Sequence, residues 1–257
     1  MRTPRTLLAV ALLALPASAA ASVTAAAPAE PWRDELAVAA LFRQAGVEGT
    51  FVLLDERRGE LRGTNRTRAE QRISPASTFK IANALIGLSL GAVRSVDEVI
   101  PYTGDANPFM REWLEPMGLR GAMKVSNVPL YQELARRIGL QRMGEAIARL
   151  GYGNQQIGTN VTTFWLRGPL AISAVEQTRF LSALAHCSHP LPPQGPGAAG
   201  GDHAGGRRPG LEPACQNRLA ERSRSRRGLV GGLGVKGDQI TPFALNLAMA
   251  GASDVPT

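Results

Sequence analysis

The sequence predicts a mixed α/β fold, and three observations carry that prediction. Thr50-Phe51-Val52-Leu53-Leu54 and the run from Glu60 to Asn65 are strand-like and flank a turn from Asp55 to Gly59, which makes an early hairpin. From Val93 to Leu150 the apolar period is mostly helical. Near the other end, Ile240-Thr241-Pro242-Phe243-Ala244-Leu245-Asn246-Leu247-Ala248-Met249 reads as a strand again. With 257 residues, 44% of them hydrophobic, the chain can bury a full core.

Taken in order, the chain opens on a basic start, Met1-Arg2-Thr3-Pro4-Arg5, an apolar run from Leu7 to Leu15, and the small-residue site Ala17-Ser18-Ala19. That pattern is a secretory signal peptide over 1–21 and predicts an exported, periplasmic protein with no stable membrane insertion once it is removed. The mature domain is then 22–257. An Ala/Pro-rich linker runs to Pro31, and Asp34 to Gln44 has helical periodicity with Gly46 as its stop. After the hairpin come Ser74-Pro75-Ala76-Ser77-Thr78-Phe79-Lys80 and the apolar run Ile81 to Leu88, a buried helix started by Pro75. Residues 130–138 and 143–150 are amphipathic helices, Tyr152-Gly153-Asn154 a turn, and Phe164-Trp165-Leu166 leads to a loop at Gly168-Pro169. Ser173 caps a further helix, with Glu176 completing a capping box.

At His186 the character changes. Residues 186–234 hold 6 Pro and 11 Gly in 49 positions, together with all three His and both Cys of the chain, and read as disordered. The residual strand belongs to 235–257. The net charge of +8 is split: seven Arg against three acids lie in 186–234, while the part before it is only mildly basic with interspersed charges. Nucleic-acid binding is therefore not expected. His186, Cys187, His189, His203 and Cys215 lack the C-x₂-C or H-x₃-H spacing of a metal site, and none is assigned. An oxidising compartment allows a Cys187–Cys215 disulfide.

The chemistry concentrates on Ser77 and Lys80. Residues three apart share a helix face, so hydroxyl and amine can meet, and the positive end of the helix dipole favours an oxyanion there. As a bare pattern Ser-x-x-Lys is weak, with about one chance match expected in a chain this long. Composition strengthens it: the chain has 26 Arg and only three Lys, Lys80, Lys124 and Lys236. A cation wanted only for charge would be Arg here, whereas a desolvated Lys can lose its proton and act as a base. Two readings stand at this point, an activated serine nucleophile and a lysine snorkelling out of a buried helix. Ser126, just before a Pro-initiated helix, either projects into a cleft or simply caps that helix. Trp165 is either core packing or an indole N–H in search of a partner.

Together these elements resemble the class D (oxacillinase-type) serine β-lactamases. The matching segments are Ser77-Thr78-Phe79-Lys80, Ser126-Asn127-Val128 as the S-x-V element, Tyr152-Gly153-Asn154, Phe164-Trp165-Leu166, and Ile172 to Gln177, in order over about 30–185. Phe243 to Met249 is similar to the family's late sheet strand. S-x-V and Y-G-N, in place of the S-D-N of class A, single out the subclass.

The resemblance implies an α/β transpeptidase-like fold, an antiparallel sheet flanked by helices beside an all-helical region of about 90–170, with the site between them. It implies a β-lactam as small-molecule substrate, Ser77 as nucleophile, Lys80 as general base in CO₂-derived N-carboxylated form, Ser126 as proton relay to the lactam nitrogen, and Trp165 holding the carbamate. Val128 would crowd the modified lysine, and Tyr152, Gly153 and Asn154 would border the substrate. No metal is implied, and a homodimer is left open.

The chain departs from the family where a Lys-Ser/Thr-Gly strand should line the site, since that triplet occurs nowhere in it. Resemblance fails near His186 and returns around Val235, the pattern of a compensating pair of frameshifts. An incomplete sheet and impaired turnover are the expectation, with a β-lactam-binding sensor or an inactive pseudoenzyme as rivals.

Overall fold

A computed structural model of the chain describes residues 31–191 and 229–248. Its sheet contains β1 (Trp32–Asp34), β2 (Gly49–Asp55), β3 (Glu60–Gly63), β4 (Leu229–Lys236) and β5 (Gln239–Leu247), in the spatial order β1-β3-β2-β5-β4. All pairings are antiparallel except the short parallel one between β1 and β3. The sheet is open. Strands from both ends of the chain meet at β2·β5, where Val52 pairs with Ala244, and both side chains are fully buried.

The helices are α1 (Leu36–Gln44), α2 (Arg66–Glu70), α3 (Phe79–Ser89), α4 (Leu119–Lys124), α5 (Val128–Ile138), α6 (Leu140–Leu150), α7 (Phe164–Arg167) and α8 (Ala174–Ala185). α8 lies across β2, β5 and β4, so it covers one sheet face. The capping box at its start is present: Ser173 Oγ accepts from the Glu176 N–H at 3.1 Å and Glu176 Oε2 accepts from the Ser173 N–H at 2.9 Å. Nearly every residue of α3 is buried, as its all-round apolar sequence requires. α5 packs against α3, and Asn83 laces the two together by donating Nδ2 to the Tyr131 carbonyl at 2.9 Å.

Three expectations need correction. Residues 93–118 are not helical apart from a 3₁₀ turn at Arg111–Leu114. Pro101, Pro108 and Pro116 interrupt any helix there, and the segment is tied off by the Ile100↔Met117 bridge instead. Trp32–Asp34 forms β1, too short to show a period. Most consequentially, order resumes before Val235: Leu229–Lys236 is a full strand.

Glycine-rich composition misled the reading of that strand because its glycines are where neighbours come close. A Cβ on Gly232 would stand 2.9 Å from the Phe243 ring, and one on Gly231 would stand 3.1 Å from Leu181. Residues 186–191 are ordered as well, with Leu191 buried. His186 Nε2 lies 2.7 Å from Glu56 Oε2, while His203 and Cys215, and with them the Cys187–Cys215 pairing, lie outside the described residues.

Candidate active site

The nucleophile candidate sits on a short 3₁₀ turn, Ala76–Thr78, that feeds directly into α3. Pro75 starts the turn at φ −67°, and Thr78 fastens it by donating both its N–H and its hydroxyl to the Pro75 carbonyl, at 3.1 and 2.7 Å. Ala76 holds a left-handed φ of +46°, an uncommon state for a residue with a Cβ. Just upstream, Ser74 Oγ donates to the Trp165 carbonyl at 2.8 Å, which anchors the turn to α7.

Lys80 is 1% exposed, yet its Nζ donates to Ser77 Oγ at 2.7 Å and to Ser126 Oγ at 2.8 Å. Ser126 Oγ donates in turn to Ser77 Oγ at 3.2 Å. The three groups form a closed triangle. Burial pulls the Lys80 ammonium down to about 7, with no carboxylate to hold its proton. The snorkelling reading fails on this geometry: the amine points inward, 5.9 Å from the centre of the Tyr131 ring. The two serines are half-buried residues, whereas the lysine between them is fully buried.

Ser126 lies between α4 and α5 at a φ of +53°. It does not cap α5. That task belongs to Asn127, whose side chain accepts from the Leu130 N–H at 3.0 Å, and this leaves the Ser126 hydroxyl free to face Lys80. Val128 is the first residue of α5, half-buried beside this serine.

Trp165 is fully buried, stacked on Phe79 with centroids 5.4 Å apart, and its Nε1 has no hydrogen-bond partner. Phe79 also meets Phe164 and Tyr152 edge-on, at 5.1 and 5.7 Å, so the residue next to Lys80 is the hub of an aromatic cluster. Tyr152 is 1% exposed, and its hydroxyl donates to Gln177 Oε1 at 2.8 Å; burial pushes its ionisation well above the usual tyrosine range. Asn154 binds the next segment on both sides of its amide, donating Nδ2 to the Pro169 carbonyl at 2.8 Å and accepting from the Ala171 N–H at 3.0 Å. Gly153 lies between them at φ +56°. The structure thus brings Ser77, Lys80 and Ser126 into mutual contact, and sets Trp165, Tyr152, Gly153 and Asn154 in the packing behind them.

On the sheet side, β4 passes close to the turn that carries Ser77. Its sequence, Leu229 to Lys236, contains no Lys-Ser/Thr-Gly. Among the described residues no cluster of three or more His, Cys, Asp or Glu could hold a metal ion. One residue of the site had no sequence signal: Trp113, whose Nε1 donates to the Val125 carbonyl at 3.1 Å, because its role runs through main-chain atoms.

A buried amine bonded to two hydroxyls, one of them at the start of a helix, can take a proton from one oxygen and return it through the other. Residues 49–194 match the family described as penicillin binding protein transpeptidase domain. β-Lactamase OXA-5 of Pseudomonas aeruginosa is 41% identical over 143 residues, which is 56% of this chain and 53% of that protein. β-Lactamase OXA-48 of Klebsiella pneumoniae is 41% identical over 160 residues, 62% of this chain and 60% of that one. The chain spans about half the length of the curated relatives it matches. Among solved structures, FUS-1 (OXA-85), a class D β-lactamase from Fusobacterium nucleatum subsp. polymorphum, aligns with a TM-score of 0.70 at 31% identity, covering 86% of this chain and 91% of that chain.

Proposed function

From the premise that this chain belongs to the penicillin-binding transpeptidase family, in its class D β-lactamase branch, we propose that it hydrolyses β-lactams through an acyl-enzyme on Ser77. The single observation that carries the reading is the Ser77–Lys80–Ser126 triangle, with a buried amine near neutrality at its centre.

The residues suit each proton movement. Ser77 Oγ attacks the lactam carbonyl as its proton passes to Lys80 Nζ. The carbonyl carbon–nitrogen bond then breaks, and the leaving nitrogen takes a proton from Ser126 Oγ, which is resupplied from Lys80 Nζ. Lys80 ends neutral, as it began. The N–H groups at the start of α3 favour the oxyanion. Water then cleaves the ester with Lys80 again as base.

The family resemblance also implies a CO₂-derived carboxyl group on Lys80, and the surroundings fit it. A neutral amine in apolar packing is what carbamate formation needs, and the orphaned Trp165 Nε1–H is a donor in want of an acceptor. When present, that group supplies the base for the deacylating water. Trp165→Phe keeps the ring and removes the donor. Hydrolysis by this variant is expected to slow by roughly 10²-fold, with partial recovery in added bicarbonate; unchanged turnover without bicarbonate would show that the indole N–H has no part.

The chain contains no Lys-Ser/Thr-Gly, the triplet that in the family supplies a cation for the substrate carboxylate and one oxyanion donor, and loss of one such donor lowers rates by about 10²–10³. Slow turnover is therefore part of the reading. The test is a labelled penicillin followed with time, alongside nitrocefin hydrolysis. Label that appears on Ser77 and is lost with turnover supports a hydrolase. Label that persists points to the sensor rival, and no label at all sinks the reading. The exported, periplasmic location expected from residues 1–21 belongs to the same proposal; those residues lie outside the described ones, and no described helix is long and apolar enough to cross a membrane.

A further inference from the structure

Ser126 is gripped on both sides by one residue that the triangle does not include. Its left-handed backbone sets the direction of its hydroxyl, and a residue with a Cβ does not hold that state unless its flanks are fixed. The carbonyl before it, Val125 O, accepts a hydrogen bond from Trp113 Nε1 at 3.1 Å. The side chain after it, Asn127, donates Nδ2 back to the Trp113 carbonyl at 3.3 Å while its Oδ1 caps α5. Trp113 itself is half-buried on the 3₁₀ turn Arg111–Leu114, with Phe109 packed at 6.4 Å. The turn is the one regular piece of an otherwise irregular stretch, and these two bonds tie it to the residues on either side of Ser126.

We propose that Trp113 is a positioning residue for proton delivery: by clamping the Val125 carbonyl and Asn127 it holds the Ser126 hydroxyl between Lys80 and Ser77. The inference rests on the acyl-enzyme reading above. With the indole N–H removed, the Val125 carbonyl loses its side-chain partner, the long 3.3 Å bond from the Ser126 N–H to the Met123 carbonyl is left to hold that peptide, and Oγ drifts from the Lys80 amine. The step that suffers is protonation of the departing nitrogen, so acylation slows while initial binding does not change.

The experiment measures single-turnover acylation of Ser77 by labelled penicillin in four proteins: wild type, Trp113→Phe, Ser126→Ala, and the double variant. Trp113→Phe keeps the apolar ring and is expected to lower the acylation rate by about 10- to 100-fold, with the dissociation constant of the initial complex within about two-fold of wild type. Ser126→Ala lowers it at least as far. The double variant is expected to match Ser126→Ala, because Trp113 acts only through that serine. A further loss in the double variant, or a Trp113→Phe rate equal to wild type, overturns the positioning role and leaves the acyl-enzyme reading standing. A wild type that takes no label removes both.

Discussion

Lys80→Met is expected to lower acylation of Ser77 by roughly 10³-fold or more while leaving the protein at least as stable as before. Methionine fills nearly the same volume and carries no proton. The amine it replaces is 1% exposed, has two hydroxyls and an aromatic face for company, and titrates near 7 because burial penalises its charge. Keeping it there costs folding free energy whenever it is charged.

The sign follows from linkage. Lys80 has the ordinary lysine value of 10.5 in the unfolded chain and titrates at about 7 when folded, so between those values the unfolded chain holds a proton that the folded one lacks. Stability therefore rises with pH through that window, by at most about 1.4 kcal/mol per pH unit, is fully gained above 10.5, and is lost as pH falls through 7. Urea unfolding of the wild type at pH 7 and pH 9 should show that slope, and Lys80→Met should flatten it. Acylation by the wild type should rise with pH across the same 7, because the neutral amine is the active form. A methionine variant that acylates normally, or a wild type whose stability is flat from pH 7 to 9, would contradict the buried neutral amine.

That amine was legible in the sequence for a compositional reason. In a chain with three lysines and 26 arginines, a lysine at the head of an apolar helix invites an explanation other than charge. The capping box at Ser173 and Glu176 was legible because its signal is local, two residues on one turn. The ambiguity at Ser126 could be resolved only in three dimensions, since Ser126 and Asn127 are both good capping residues and geometry gave the cap to Asn127.

Two features were hidden from sequence reasoning. Trp113 acts through main-chain carbonyls, and an indole's partner on a backbone leaves no pattern in side-chain identities. β4 was hidden by its own glycines: composition treats Gly as entropy, whereas here close packing against Phe243 and α8 demands it. The apolar residues between them, Leu229 and Leu233, still turn toward the core cluster, so a period existed beneath the composition.

Gly153→Ala is expected to destabilise the fold by about 3 kcal/mol or more. Two costs add. The φ of +56° is strained for any residue with a Cβ, and that Cβ would press into the Ala171 carbonyl oxygen and lie 3.1 Å from Ile172 Cβ. The carbonyl cannot yield cheaply, because the Asn154 N–H already donates to it at 2.9 Å and Asn154's side chain holds the Ala171 N–H. Displacing Ala171 pulls on Ile172, which bridges to Ile73 through paired backbone bonds of 3.1 and 2.8 Å, and Ile73 leads through Ser74 and Pro75 into the turn that presents Ser77. The substitution should thus slow acylation as well as lower the melting temperature. Gly151, two residues earlier, supplies the control: it has a similar φ of +59° but nothing within 4 Å of a Cβ, so Gly151→Ala should cost only about 1 kcal/mol and leave acylation untouched. If the two variants melt together, the close approach at Ala171 does not bear on stability, and the path from the Tyr152 turn to Ser77 carries no strain.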